Sequence, residues 1–99
     1  MKKKLSLTEQ FAHLKSTPRV YRDRGETTWM TEDGKFHRIG GPAQEFENGD
    51  KISYVNGLRH NETGPAIDLA DGRKFYYLEG KELSAKAFAK RTGKTPSTP

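Results

Sequence analysis

Cysteine is absent from the 99 residues, which excludes disulfide staples and thiolate-held metals. The absence fits a reducing compartment, and the expected location is the cytoplasm. Apolar residues are scarce, at 31% of the chain with a mean hydropathy of −0.97. A chain this short and polar is expected to form one domain with a thin core, without the thick walls of an enzyme cleft. No apolar run approaches the roughly 18 residues needed to span a bilayer, so no membrane partner is expected. The opening MKKKLSLTEQF is basic but is followed by no apolar stretch, so it does not read as a secretory signal.

Acidic residues are missing from the last 16 positions, and this unevenness qualifies the net charge of +5 and the pI of 9.6. Residues 1–24 carry seven Lys or Arg against two acids, net +5. Residues 25–83 carry seven against eleven, net −4, and residues 84–99 carry four against none, net +4. The basicity therefore belongs to the two ends. The acidic middle lacks the footprint of a sheet that tracks phosphates.

What is abundant is repetition. Gly34, Gly57 and Gly80 lie 23 residues apart, as do Gly49 and Gly72, Gly41-Pro42 and Gly64-Pro65, and His37 and His60. Trp29, Ile52 and Phe75 keep the interval too. A fixed period of this length predicts a stacked supersecondary unit. A worn earlier copy is suggested by Pro18 and Gly25, seven apart like Pro42 and Gly49 or Pro65 and Gly72.

The unit reads as β-structure. Asp33-Gly34, Asn48-Gly49, Asn56-Gly57 and Asp71-Gly72 are dipeptides favoured in two-residue type I′ hairpins, with Glu79-Gly80 a weaker copy. Between them Ile52 and Tyr54, or Phe75 and Tyr77, alternate with polar residues at period two. The expected fold is mainly β with terminal helices: an antiparallel meander of about six strands near 19–24, 27–32, 42–47, 50–55, 65–70 and 73–78. Trp29, Tyr54, Phe75 and Tyr77 are expected on one face, mostly beneath the helices, with Tyr76 and Met30 on the other.

Ser6-Leu7-Thr8-Glu9 forms a capping box, and Leu7, Phe11 and Leu14 make an apolar stripe, predicting a helix over 6–16. Ser84 and Gly93 bracket a second helix over 85–91. One repeat domain is thus expected over 1–92, with the Pro-broken TGKTPSTP, residues 93–99, as a disordered tail.

The order of hairpin glycine, histidine-arginine, Gly-Pro-Ala, alternating strand, second glycine and aromatic strand carries a resemblance. Phe36-His37-Arg38-Ile39-Gly40-Gly41-Pro42-Ala43 resembles the HR-x-x-GPA repeat proteins of bacteriophages and giant viruses, which are loosely similar to MORN repeats. Arg59-His60-Asn61-Glu62-Thr63-Gly64-Pro65-Ala66 follows the same pattern with Asn61 in place of the arginine. The resemblance covers residues 29–83. It implies β-hairpin repeats in small accessory proteins that act by binding. The Tyr-x-Gly and His-Gly-x-Gly spacings of MORN repeats proper are absent.

Candidate chemistry is sparse. His37 and His60, one repeat apart, would stand two strand spacings or roughly 10 Å from each other. One zinc needs both nitrogens within about 2.1 Å, so shared ligation is not expected. Each imidazole is expected instead to bond backbone groups of the irregular loop before Gly-Pro. The two Gly-Pro pairs lack the Gly-x-x-x-x-Gly-Lys-Ser/Thr of a phosphate loop. Glu45, Glu47, Asp68 and Asp71 lie among strand residues with no nucleophile near them in sequence. No catalytic residue, metal or cofactor is expected. The candidate binding residues are basic: Arg19, Arg22, Arg24, Arg38, Arg59, Lys86, Lys90 and Arg91, with Arg22 and Arg24 placed on one strand face and Lys86 and Lys90 on one helix face. Two readings follow. The preferred one is a module that binds a host protein and inhibits or redirects it. The alternative is an RNA or DNA binder using the basic ends. An open sheet edge also predicts a homodimer.

Overall fold

In the computed structural model, residues 19–93 are described. The expected helix over 6–16 and residues 94–99 of the tail lie outside them. Six glycine turns set the architecture, and they are of two kinds. At Arg24-Gly25, Asn56-Gly57 and Glu79-Gly80 both residues have positive φ, 51° and 79°, 50° and 83°, and 52° and 83°, the two-residue type I′ geometry. At Asp33-Gly34, Asn48-Gly49 and Asp71-Gly72 only the glycine does, which corrects the expectation of type I′ there. Gly49 N–H bonds to Phe46 C=O at 2.9 Å and Phe46 N–H to Asp50 C=O at 2.9 Å, a type I turn closed by a left-handed glycine. The Asn and Asp are used as acceptors instead: Asn48 Oδ1 takes the Asp50 N–H and Asp71 Oδ1 the Arg73 N–H, both at 3.0 Å.

These turns connect nine strands: β1 (Arg19–Asp23), β2 (Glu26–Met30), β3 (Gln44–Phe46), β4 (Lys51–Ile52), β5 (Tyr54–Val55), β6 (Leu58–Arg59), β7 (Ile67–Asp68), β8 (Lys74–Leu78) and β9 (Lys81–Leu83). Seven form one antiparallel sheet in the order β1-β2-β3-β4-β7-β8-β9. The expected strand 50–55 breaks at Ser53, and its end turns aside as β5 to pair with β6. Strands stand at all six expected places, the fourth divided and the others one to four residues shorter than expected. β6 and β9 are additional, each formed where a type I′ turn folds the chain back.

Register separates the faces. Tyr21, Thr28, Gln44, Ile52, Ile67 and Phe75 are paired in sequence across the sheet, and directly paired residues share a face. Thr28, not Trp29, therefore occupies the place of Ile52 and Phe75. Trp29 N–H bonds to Ala43 C=O at 2.8 Å as Ser53 N–H bonds to Ala66 C=O at 2.7 Å, so the interval here is 24 residues. One extra residue turns a strand over. Trp29 thus lies on the opposite face from Ile52 and Phe75, a correction to the sequence reading. The same interval separates Gly25 from Gly49, so β1 and β2 are the worn first copy.

The C-terminal helix, α1 (Ala85–Thr92), begins where Ser84 Oγ accepts the Ala87 N–H at 3.1 Å and ends on Gly93 at φ 71°. It runs one residue past the expected end. Phe88, 1% exposed, packs on Tyr76 with ring centroids 4.7 Å apart. α1 thus covers the Tyr76 face and not the Phe75 and Tyr77 face, again contrary to expectation. With Ala43, Val55 and Ala66 these two rings make up the buried apolar core, small as the composition requires. No described helix is long and apolar enough to cross a membrane.

Candidate functional site

Both repeat histidines are 3% exposed and hold turns. His37 Nδ1 accepts the Asn56 N–H at 2.8 Å, and His60 Nδ1 accepts the Glu79 N–H at 2.9 Å. Each donor is the first residue of a type I′ turn, 19 residues downstream. The structural role is as expected, but the bond reaches the following hairpin and not the loop before Gly-Pro. Accepting at Nδ1 places the proton of the neutral ring on Nε2. His60 Nε2 donates it to Glu62 Oε2 at 2.6 Å. Burial pushes the His37 pKa below its ordinary value. Neither ring lies in a group of three or more His, Asp or Glu able to hold a metal, and none exists among the described residues.

Gly-Pro loops repeat a second bond. Arg38 Nη1 donates to Pro42 C=O at 3.1 Å, and Asn61 Nδ2 donates to Pro65 C=O at 3.0 Å. The same closure is made with a charge in one repeat and without it in the other. The slip at β2 places Trp29 beneath Arg38, with the guanidinium carbon 3.9 Å from the ring centroid. A Cβ on Gly41 would meet that guanidinium at 2.9 Å, so glycine is required for Arg38 to lie there. Together these contacts hold a long side chain in one place.

Between the two loops runs a cleft of about 460 Å³. Its lining includes Arg38 and Ile39 from one loop, Asn61 and Glu62 from the other, and Ser53, Val55 and His60. It offers a fixed cation, a carboxylate held by His60, and the side chain of Ile39, which is 37% exposed. Its size suits one or two side chains of another molecule. Period-based reading missed it because its features are the positions where the repeats differ: Arg38 against Asn61, Ile39 against Glu62. The unequal lining residues were the available signal.

The basic residues named from sequence are not brought together. Arg19 and Arg22 lie on β1 at one end of the sheet, with Arg24 in the turn beyond it. Arg24 therefore does not share a strand face with Arg22, as had been expected. Lys86, Lys90 and Arg91 lie on α1, which packs on β8 and β9 at the other end, six strand spacings or roughly 29 Å away. Arg38 is in the cleft. Arg59 is on the opposite face, its guanidinium 5.4 Å from the Tyr77 ring, and the Tyr54 and Tyr77 hydroxyls beside it hold its pKa above the ordinary arginine value. Phe36 meets Tyr54 edge-on at 5.0 Å on that side.

Across the Arg22 face the paired row reads Arg22, Thr27, Glu45, Lys51, Asp68, Lys74. From Glu45 onward its charges alternate, and Lys74 Nζ bonds to Asp68 at 3.0 Å. Alternation of this kind cancels the long-range field that steers a polyanion. Compared with protein-family models, with curated proteins and with solved structures, the chain matches none.

Proposed function

We propose that the chain is a protein-binding module, a small phage-type accessory protein that engages a host protein through the inter-repeat cleft and inhibits or redirects it. The observation that carries this reading is the guanidinium of Arg38, stacked at 3.9 Å on Trp29 and bonded to Pro42 C=O beside the exposed Ile39. Arginine and tryptophan dominate the energetic centres of protein interfaces, and a side chain already ordered loses little entropy on binding. The likeness of residues 29–83 to viral HR-x-x-GPA repeats supports the host-factor role. The distance between the two basic ends weighs against a continuous phosphate track.

Asparagine at position 61 already closes its loop. Arg38→Asn should therefore keep the fold within about 1 kcal/mol while removing the charge. The immobilised protein is exposed to bacterial lysate, with and without nuclease, at two salt concentrations. A host protein retained through nuclease and high salt, and weakened about tenfold or more by Arg38→Asn and by Ile39→Asp, supports the reading. Retained RNA or DNA that vanishes with salt, or capture indifferent to both substitutions, overturns it.

A further inference from the structure

Among the described residues no strand lies beyond β1 at its end of the seven-stranded sheet, and all five of its residues are exposed. Val20 and Tyr21, at 43% and 48%, are two of the four exposed large hydrophobic residues among those described. The opposite edge is different. β9 has three residues and α1 packs against it.

We propose that β1 is a self-pairing edge, which joins two copies of this chain about a two-fold axis through Tyr21 into one continuous sheet. The backbone defines the register. In a two-residue hairpin the pair flanking the turn, here Asp23 and Glu26, exchanges hydrogen bonds, and bonded and non-bonded pairs then alternate. Arg19, Tyr21 and Asp23 therefore bond to β2. The alternation is confirmed on β2, where Trp29 N–H bonds to Ala43, away from β1. The outward N–H and C=O groups on β1 are those of Val20 and Arg22.

An antiparallel second copy satisfies both residues in one register only. Val20 pairs with Arg22 of the second copy, and by symmetry Arg22 with its Val20, giving about four backbone hydrogen bonds. Shifting the sum of paired positions down by two sets Arg22 against Pro18, which has no N–H. Shifting it up by two sets Val20 against Arg24, which lies in the turn at φ 51°.

The side chains agree with the backbone register. Arg19 falls opposite Asp23 of the second copy, and Asp23 opposite its Arg19, so two ion pairs form on one face. Tyr21 meets its own copy on the same face, in the non-bonded position where side chains approach most closely. Sequence and edge geometry select the same alignment independently.

The test is sedimentation equilibrium of the full chain from micromolar to millimolar concentration. The expected result is a reversible monomer–dimer equilibrium. Val20→Pro deletes an outward donor that β2 does not use, so the hairpin ladder is spared, and the dimer should weaken about tenfold or more. Arg19→Asp sets like charges opposite each other and should also weaken it about tenfold. The double variant Arg19→Asp with Asp23→Arg restores opposite charges and should recover the dimer. A monomer at every concentration overturns the proposal, as does a dimer unchanged by Val20→Pro. If Val20→Pro does not fold by circular dichroism, the charge series decides, and failure of the double variant to recover overturns the proposal.

Discussion

Replacing His60 tests whether the repeat is held by its histidines. The imidazole accepts the Glu79 N–H at 2.9 Å, donates to Glu62 at 2.6 Å and is 3% exposed. His60→Ala removes both bonds, leaves the Glu79 donor without its acceptor and opens a ring-sized cavity. Each bond contributes about 1 kcal/mol, somewhat more for the charged partner, and the lost packing about 1–2 kcal/mol. The sum is about 3–4 kcal/mol, a large share of the 5–15 kcal/mol typical of a domain. Urea unfolding followed by circular dichroism should show the midpoint falling by about 2 M, at an m of about 1.5 kcal/mol/M. Two further variants isolate the bond that matters. Asn carries an acceptor near the position of Nδ1, and Gln reaches toward the position of Nε2. If the turn bond dominates, His60→Asn should retain more stability than His60→Gln, and both more than His60→Ala. A loss under about 1 kcal/mol for the alanine variant, or Gln outperforming Asn, refutes the assignment of His60 as the clamp on the Glu79-Gly80 turn.

Two other outcomes follow from the same geometry. Burial holds the His37 pKa below the ordinary 6.5, so between 6.5 and its folded value the unfolded chain binds more protons. Stability should therefore fall as pH drops through 6.5 and level off below the folded pKa; urea midpoints at pH 7.5, 6 and 5 check this, and His37→Asn should flatten the profile. Glu79 adopts φ 52°, a conformation asparagine tolerates far better. Glu79→Asn keeps the N–H that His60 binds and should add about 0.5–1 kcal/mol, raising Tm by about 3–5 °C; an unchanged or lower melting temperature contradicts it.

Much of the sheet was legible because glycine and alternation act locally. Asn56-Gly57 reads correctly as type I′ since both residues must be left-handed there. Asn48-Gly49 has the same letters and a different turn. The difference is made by Phe46, whose N–H and C=O both close on the loop, and no dipeptide rule contains that information. β6 and β9 are too short to show a period, and they exist because their turns return them to a neighbour. The common interval of 23 in the letters puts Trp29 on the wrong face because it conceals an interval of 24 in the pairing. The ladder through Thr28 and Gln44 reveals it, and the spacing of Gly25 and Gly49 agrees with it. The cleft is legible only in part: the unequal pairs Arg38/Asn61 and Ile39/Glu62 stand in the letters, but the separation of their two loops is set by the sheet.

The repeat nevertheless supplies a criterion for dividing scaffold from recognition. A bond that recurs in both units can be charged to the fold: histidine to turn, and the residue after it to the proline carbonyl. Whatever departs from the repeat is released from that constraint. Arg38 departs, because Asn61 shows that the loop closes without a charge. Ile39 departs, because Glu62 in its place serves the second histidine. Trp29 departs, because the extra residue before β3 takes it out of the row of Ile52 and Phe75 and sets it under Arg38. Arg38 and Ile39 line the cleft side by side, and Trp29, turned over by the slip in register, lies under Arg38. On the proposed reading these adjoining side chains are where binding energy would concentrate, since an interface draws its energy from a few neighbouring residues and leaves the rest of the sheet to hold them in place.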